Sequence, residues 1–427
     1  MEEAMLNPEK LRTAFWDEDK MQGSAIWNQY VEIKKNISEE NIDWVEQQLL
    51  KLKRHAIMET EFYQAYEKTD IFPVVNKRIL IENMEKCKAK GGFQLPIHKT
   101  YTSGSTGTPF AVPQDYMKRK RTIADLKVFG ELCGYPSHEK MIFFRVINDK
   151  LHTTKEREQK DNIFYLDSSI MDEEHLQKML DAIIEMKPWI IFSYASTLVE
   201  LTKYAEKQSL SAEKYGLKTI LTAGEALSQE ERLRMQRVFG CKVYRRYSDM
   251  EMGILAQDMG GGSEYLLNYG SYYFECLKTD IDEPAEDGEI GRIVITDLFN
   301  YAFPMIRYDT GDLGIMRHID GGFPRLTEIF GRARDCIYTP EGAMVSPAKI
   351  STSMWGIRGL KQWQFIQNSR DEYTLRLNSD KELDPQVVIN KIQKTLGVDA
   401  KIKVQTEEGI PVLASNKRRA IINEYKK

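Results

Sequence analysis

The sequence predicts an α/β fold: a large multi-subdomain α/β region followed by a small α+β domain at the C-terminus. Between residues 176 and 247, short and almost wholly apolar runs alternate with amphipathic helical segments. This alternation is typical of a largely parallel sheet with right-handed crossovers. After residue 335 the pattern changes, since residues 373–377 alternate like a strand and residues 387–396 have helical periodicity. The second pattern predicts the small domain.

The chain divides into three regions, with boundaries near residues 95 and 335. Residues 1–95 read as a helical extension packed on the large domain, residues 96–334 as its α/β core, and residues 335–427 as the small C-terminal domain. In the extension, one helix starts near Ser38, which we expect to act as its N-cap. Its apolar face consists of Ile42, Val45, Leu49, Leu52 and Ala56.

The core elements follow from periodicity, capping and helix-ending residues. Helices are expected at 176–186, 197–208 and 228–239, with strands at 189–193, 218–222, 242–247 and 291–298. Ligands of parallel sheets gather beyond the carboxyl ends of the strands. The segments 222–226 and 247–253 both follow such ends, which makes them candidate site segments.

Composition restricts the class of protein. The chain has 427 residues, 42% apolar and 29% charged, with a net charge of −4, as expected for a folded globular protein of two or three domains. Interspersed charges argue against a nucleic-acid partner, and five scattered cysteines argue against zinc and disulfides. No apolar run reaches the roughly 18 residues of a membrane span, and the N-terminus is unlike a signal peptide. We therefore expect a cytoplasmic enzyme.

The first chemical motif is the loop 102–109, in which two glycines lie among hydroxyl residues. Such a loop can aim several backbone N–H groups at a phosphate. It lacks the Gly-Lys-Ser/Thr ending of the Walker loop. A flexible surface loop explains the same composition equally well.

The second motif, residues 247–253, follows a strand directly. Glu251 could hold Mg²⁺ against phosphate oxygens, and Tyr247 could lie flat on a base. Taken alone, a strand-end turn with solvated acids is the favoured interpretation.

Two weaker motifs follow. Asp312 could accept hydrogen bonds from both hydroxyls of a ribose, although an ordinary turn explains the Thr-Gly-Asp sequence as well. The segment 331–347 suits either a hinge or a plain linker.

The order and spacing of these motifs resemble the adenylate-forming ligases, the superfamily of acyl-CoA synthetases, luciferases and peptide-synthetase adenylation domains. Within it, the sequence is most similar to the phenylacetate–CoA ligase branch and its CapK-like relatives in capsular-polysaccharide gene sets. The resemblance covers about residue 70 to the C-terminus. It implies an acyl-CoA synthetase-like fold, with the core as adenylation domain and a mobile small domain.

The resemblance also implies a role for each matching residue. The phosphate loop would be Ser103, Gly104, Ser105, Thr106 and Gly107. The remaining nucleotide-binding residues would be Ala223, Gly224 and Glu225 at the adenine, Tyr247 and Ser248 beside them, and Asp312 with Arg332 at the ribose. Glu251 would be the Mg²⁺ carboxylate, Arg334 and Asp335 the hinge, and Lys417 the catalytic lysine. Phe192, Tyr194 and Tyr269 would line the acyl pocket.

The sequence departs from the family pattern at three points. Phe110 follows the phosphate loop where many relatives have lysine, Met250 precedes Glu251 where many have a hydroxyl residue, and Asn416 precedes Lys417 instead of glycine. Neither Glu251 nor Asp312 is lost, so the resemblance implies an active enzyme.

The implied reaction joins a carboxylic acid to AMP with ATP and Mg²⁺ and releases pyrophosphate. No general base is needed, since a carboxylate is ionised at pH 7. Aromatic pocket walls favour an aryl or otherwise planar acid. Three outcomes stay open: transfer to the thiol of CoA or a carrier protein, amide or ester formation on an acceptor during capsular polysaccharide tailoring, or nucleotide binding without catalysis.

Overall fold

A computed structural model describes most of the chain. The described residues are 7–69, 71–101, 110–147, 153–262, 264–319, 322–332, 336–345, 350, 353–354, 357, 359–379, 381–410 and 420–425. They form two compact units. The first consists of Met1–Glu225, Gln229–Thr310 and Gly314–Glu328, and the second of Ala226–Ser228, Gly311–Leu313 and Ile329–Lys427. The boundaries near residues 95 and 335 remain predictions.

In the first unit, helices come first, helices and strands alternate from residue 116 to residue 249, and the elements after that are strands. Its helices are α1 (Pro8–Met21), α2 (Ala25–Glu39), α3 (Ile42–Glu59), α4 (Glu61–Gln64), α5 (Lys77–Glu82), α6 (Met84–Cys87), α7 (Tyr116–Leu132), α8 (Lys155–Asp161), α9 (Glu173–Met186), α10 (Ala195–Lys207) and α11 (Gln229–Phe239). The strands up to residue 332 are β1 (His98–Tyr101), β2 (Ala111–Gln114), β3 (Met141–Arg145), β4 (Ile163–Asp167), β5 (Ile190–Tyr194), β6 (Thr219–Ala223), β7 (Lys242–Asp249), β8 (Gly253–Asp258), β9 (Tyr265–Leu267), β10 (Tyr272–Leu277), β11 (Ile290–Asp297), β12 (Tyr308–Arg317) and β13 (Arg325–Arg332). Among the helices that the structure describes, none has the length and apolar character needed to cross a membrane.

Strands β1 and β2 pair with each other, and the other eleven strands described up to residue 332 form one sheet in the order β10-β11-β12-β13-β9-β8-β7-β6-β5-β3-β4. The strands β4, β3, β5, β6 and β7 are neighbours in this order and run parallel. Helix α9 connects β4 to β5, α10 connects β5 to β6, and α11 connects β6 to β7. The pairs β7–β8, β8–β9, β9–β13 and β10–β11 are antiparallel. The predicted α/β fold is confirmed. The prediction of a largely parallel sheet was wrong for the strands after β7, where these four pairs are antiparallel. Antiparallel neighbours need only short turns, which leave no helix-alternating signal in the sequence.

The N-terminal helices bury their apolar faces against the core. Ile26 and Ile33 of α2 pack with Ala124 and Phe129 of α7, and the apolar residues of α3 were correctly assigned to one helix. Burial of these faces, together with the caps, defines where each helix lies.

The N-cap expected for α3 was wrong. Asn41, and not Ser38, caps the helix, because its side chain accepts a hydrogen bond from the backbone N–H of Trp44 at 3.1 Å. Ser38 lies in the last turn of α2, where its hydroxyl donates to the carbonyl of Lys35.

The second unit is a small α+β domain, as predicted. Its described elements are β14 (Ile337–Tyr338), β15 (Met344–Val345), β16 (Leu360–Gln367), β17 (Glu372–Ser379), α12 (Pro385–Leu396), β18 (Lys401–Thr406) and β19 (Ile421–Asn423). A four-stranded sheet has the order β18-β17-β16-β19, and β17 and β18 run parallel because α12 crosses between them. Phe365 and Tyr373 stack at 5.5 Å between ring centroids, within a core that includes Val388 and Ile392 of α12.

Candidate functional site

The carboxyl ends of β5, β6 and β7 meet at one edge of the sheet. Tyr194, Ala223 and Arg246 are register partners across the three strands. Strand β7 continues for three residues to Asp249 and then turns into β8. Two of the predicted site segments, 223–225 and 247–251, therefore lie on adjacent strands at the same edge.

The turn after β6 depends on a glycine. Gly224 has φ +76°, and a Cβ at this position would lie 3.0 Å from Cε1 of Tyr194. The next residue, Glu225, accepts a hydrogen bond through Oε2 from the backbone N–H of Ser196 at 2.8 Å. This bond satisfies one of the free N–H groups at the start of α10. Burial, and then the charge of Glu225, raise the pKa of Tyr194, so its phenol stays protonated.

Tyr247 and Ser248 occupy the last part of β7. The hydroxyl of Tyr247 lies 3.4 Å from Oγ1 of Thr310, and that threonine hydroxyl donates to the carbonyl of Ile293. Pairing with β8 shifts register between Tyr247 and Ser248, which marks a bulge on β8 at this point. The extra residue in this pairing is Leu255 of β8, since Tyr247 pairs with Ala256 and Ser248 with Ile254. Tyr247 and Ser248 are both half-buried.

The turn between β7 and β8 is built around an aspartate. Oδ1 of Asp249 accepts from the backbone N–H groups of Met252 at 2.7 Å and Gly253 at 3.3 Å. Gly253 has φ +121°, which favours glycine. Gln114 donates through Nε2 to the backbone carbonyl of Glu251 at 3.2 Å. Glu251 is thus held in a closed turn beside Asp249.

A buried ion pair is connected by hydrogen bonds to the turn between β7 and β8. Nζ of Lys118 lies 2.7 Å from Oδ2 of Asp297, and both side chains are completely buried. Lys118 also donates to the hydroxyl of Tyr272 at 3.1 Å, which in turn donates to the carbonyl of Met252 at 2.7 Å. Tyr272 connects the buried charge pair to the turn.

The carboxylates of Asp249 and Glu251 have the character of a cation-binding pair. Burial, together with the negative charge of Glu251, raises the pKa of Asp249 to about 7, because two close carboxylates resist being ionised together. Within the described ranges, no group of three or more His, Cys, Asp or Glu side chains could hold a metal. Two carboxylates fit Mg²⁺, which binds one or two of them and completes its shell with phosphate oxygens and water.

Asp312 and Arg332 lie together in the second unit, and their place at a ribose stays a prediction. Nε of Arg332 is 3.3 Å from Oδ1 of Asp312, and the aspartate is almost fully buried while the arginine is half-exposed. Gly311 precedes the aspartate with φ +76°, and a Cβ there would lie 3.4 Å from Nη1 of Arg332. The left-handed backbone favours glycine here, and a Cβ would be about at ordinary contact distance from the guanidinium.

Of the three residues predicted for an acyl pocket, Tyr269 lies apart from the other two in the sheet order. Phe192 and Tyr194 lie on β5 and are partly exposed. Tyr269 follows β9, four strands away in the sheet order, or about 19 Å at the usual strand spacing. Its ring is buried and stacks on Phe323 at 4.2 Å between centroids. The assignment of all three residues to a pocket stays a prediction.

Several predicted residues lie outside the described part of the chain. They are Ser103, Gly104, Ser105, Thr106, Gly107, Arg334, Asp335 and Lys417. Their assignments also stay predictions.

Sequence reasoning missed two charged residues of this edge. Asp249 stood in the motif without a role, although an acid two residues before Glu251 and directly after a strand was a usable signal. Arg246 stood out only as a charge inside a strand, and its surroundings become visible only with the neighbouring strands in place.

The fold is that of the adenylate-forming ligases. The structure superposes on a crystal structure of 2-hydroxyisobutyryl-CoA ligase in complex with 2-HIB-AMP with a TM-score of 0.70, across 89% of each chain and at 18% identity. It also superposes on ATP-bound MatB from Rhodopseudomonas palustris with a TM-score of 0.55, across 74% of this chain and 65% of that one, at 16% identity.

Sequence comparison shows which proteins the chain resembles in sequence as well as in fold. The chain is 21% identical to phenylacetate-coenzyme A ligase of Aromatoleum evansii over 270 residues, which are 59% of this chain and 61% of that protein. It therefore spans about three fifths of the length of this curated relative. Residues 337–424 match the family of the CapK C-terminal domain. The chain is thus similar to phenylacetate–CoA ligases over 59% of its length and to the CapK C-terminal domain over residues 337–424, which confirms the resemblance drawn from the motifs.

Proposed function

We propose that this protein is an AMP-forming acid–CoA ligase. A carboxylate oxygen of the acid attacks the α-phosphorus of ATP, the bond from that phosphorus to the bridging oxygen breaks, and pyrophosphate leaves. The thiol of CoA then attacks the acyl carbon, AMP leaves with the electron pair of the broken bond, and the thiol proton passes to solvent. The phenylacetate–CoA ligase relatives and the neighbouring CoA ligases support this reaction class.

The observation that supports the proposal best is the turn at the end of β7. It holds Glu251 and Asp249 at the edge where Gly224 and Glu225 leave β6. These carboxylates would hold Mg²⁺, which would neutralise the phosphates of ATP when bound. Tyr247 would support the adenine, and Gly224 would let the backbone approach it. Asp312 remains the residue predicted for the ribose.

The chemistry requires positioning and charge stabilisation more than proton transfer. The acid is ionised already, so the proposed reaction assigns no residue as a general base. Because positioning dominates, we expect catalysis to require a rigid turn between β7 and β8. The hydrogen bonds of Asp249, Gln114 and Tyr272 to its backbone provide that rigidity. Lys417 is the residue predicted to stabilise the charge that develops at the α-phosphate.

A second candidate shares the first half-reaction and differs in the acceptor. The match of residues 337–424 to the CapK C-terminal domain favours an amino or hydroxyl acceptor in polysaccharide tailoring. Acyl-AMP would then give an amide or ester in place of a thioester.

The test measures ATP-dependent pyrophosphate release across a panel of carboxylic acids, with hydroxylamine as a universal acceptor. We expect a selective signal that requires Mg²⁺. Glu251→Gln should lower the rate by about 10²-fold or more, the scale seen when one charge-stabilising group is removed. Glu264→Gln, at an exposed glutamate of the same unit, is the matched control and should leave the rate unchanged.

Replacing hydroxylamine with CoA, and then with amino sugars, separates the two candidates. Stoichiometric loss of free thiol supports the CoA ligase. Product with amino sugars but not with CoA supports the second candidate. If the folded protein binds ATP but releases no pyrophosphate with any acid, the ligase proposal is wrong and a nucleotide-binding role takes its place.

A further inference from the structure

Arg246 is a largely buried arginine whose hydrogen-bond partner is neutral. Its Nε and Nη2 both donate to Oε1 of Gln257, at 3.0 and 2.8 Å. No carboxylate of the described chain forms an ion pair with it, whereas the preceding Arg245 pairs with Asp258 at 2.6 Å. Buried charges in proteins are usually paired. Burial accordingly lowers the pKa of Arg246.

Gln257 fixes the direction in which the guanidinium faces. The glutamine is completely buried, and its Nε2 donates to the backbone carbonyl of Phe129 at 2.9 Å. That bond leaves Oε1 turned toward Arg246. Because Oε1 takes the edge formed by Nε and Nη2, the remaining edge of the guanidinium, Nη1 with the second hydrogen of Nη2, is the one left for a ligand. A free guanidinium edge binds a carboxylate through two parallel hydrogen bonds.

The surroundings of Arg246 suit the body of an organic acid. The residue shares one face of the sheet with its register partner Ala223, and Tyr194 is the next partner along the row. Phe192 lies two residues before Tyr194 on the same face of β5. Its ring centroid is 5.9 Å from the guanidinium carbon of Arg246. Phe192 packs on Phe143 at 4.5 Å, and both rings are partly exposed. Aromatic surface and a cation therefore adjoin the segment 223–225.

We propose that Arg246 binds a second carboxylate on the acid that this enzyme activates, so that the substrate is a dicarboxylic acid. This inference rests on the proposed function. One carboxylate would be adenylated, and the other would receive the free edge of the guanidinium, with the connecting carbons against Phe192 and Tyr194. Gln257 is a positioning residue, since it acts on the acid through Arg246.

The experiment compares dicarboxylic acids of four to eight carbons, and 4-carboxyphenylacetate, each with its monoamide. The monoamide keeps the size and one reactive carboxylate but loses the second charge. Binding is measured by calorimetry without ATP, and turnover by pyrophosphate release. We expect at least one diacid to bind about 10²-fold more tightly than its monoamide. Arg246→Gln should remove that difference and leave the KM for ATP unchanged, and Arg246→Lys should keep part of it.

Two further variants separate a specific role from a structural one. Gln257→Glu keeps the shape of the side chain but gives Arg246 an internal carboxylate, so it should weaken diacid binding as Arg246→Gln does. Arg237→Gln, at an exposed arginine on α11, should change nothing.

The two proposals fail in different ways. Diacid-selective binding that Arg246→Gln abolishes, without pyrophosphate release from any acid, would refute the ligase function and keep the anion site. Pyrophosphate release with monocarboxylic acids only, or equal binding of every diacid and its monoamide, would overturn the diacid site alone. A raised KM for ATP in Arg246→Gln would also overturn it, because the guanidinium would then serve the nucleotide phosphates.

Discussion

Replacing Lys118 with methionine tests how strongly the buried ion pair holds the first unit together. Lys118 and Asp297 are both completely buried, with 2.7 Å between Nζ and Oδ2. Lys118 also lies over the ring of Tyr272, 4.6 Å from its centroid. Methionine has nearly the same length and keeps the packing. The substitution removes the cation and leaves the carboxylate of Asp297 buried without it.

The expected magnitude follows from the burial of both groups. Removing one partner of a buried pair costs about 3–5 kcal/mol, because the remaining charge is uncompensated. The lost hydrogen bond to Tyr272 adds about 1 kcal/mol. Lys118→Met should thus lower the free energy of unfolding of this unit by about 4–6 kcal/mol. The double variant Lys118→Met/Asp297→Asn removes both charges and should recover most of that loss, as such replacements are often close to neutral.

The assay is equilibrium unfolding in urea, followed by tryptophan fluorescence. Four of the six tryptophans lie in the first unit, so the signal reports mainly on it. Lys120→Met is the matched control on the same helix; its Nζ lies 3.4 Å from Oε1 of Gln22 and 5.0 Å from the ring centroid of Tyr116, and it has no buried ion pair within the described chain. A loss below 1 kcal/mol for Lys118→Met, or a double variant no more stable than the single one, would refute the reasoning about the pair.

Two further predictions concern Gly224 and His138. Gly224→Ala should lower stability by about 1–2 kcal/mol, the cost of left-handed backbone for a residue with a Cβ, and raise the KM for ATP through the 3.0 Å approach to Tyr194. Gly261→Ala, where a Cβ meets nothing within 4 Å, should do neither, and equal effects of the two would contradict the assignment. Burial lowers the pKa of His138 to about 3, so below pH 6.5 the unfolded chain takes up a proton that the folded chain refuses. Unfolding free energy should fall by about 1.4 kcal/mol per pH unit from this group as pH drops toward 4. His138→Asn, which tolerates the φ of +67°, should remove that part of the slope in urea titrations from pH 7 to 4, and His98→Asn, at an exposed histidine on β1, should not.

The parallel half of the sheet was predictable because its physical cause is local. Strands buried on both faces must be almost wholly apolar, and the helices between them must be amphipathic. Residues 190–194 and 219–223 show the first pattern, and the helices before and after them show the second. Predicted boundaries of these elements differ from the observed ones by at most three residues, the largest difference being at the start of α9.

Features that depend on distant contacts were not predictable. Ser38 and Asn41 are both good capping residues, and the choice between them depends on where α2 ends, which packing against α7 decides. Asp249 gained a role only once its carboxylate was seen to close the turn that carries Glu251. Tyr269 sits near a strand end like Tyr194, but its place in the sheet order separates the two. Sequence spacing alone cannot supply that order.

Strand β7 explains how one segment could serve both the nucleotide and the acid. Side chains alternate between the faces of a strand, so Arg246 shares its face with Phe192, and Tyr247 points to the opposite face toward Thr310. A one-residue slip of β7 would exchange the two faces. The register with β6 on one side and β8 on the other fixes the alternation up to Tyr247. The pairing with β8 shifts after Tyr247, and Asp249 closes the turn beyond that shift. If both proposals hold, the separation of acid and nucleotide is a direct consequence of this register. Changes that loosen β7 should then reduce selectivity for the acid and affinity for ATP together, even where no ligand contact is altered.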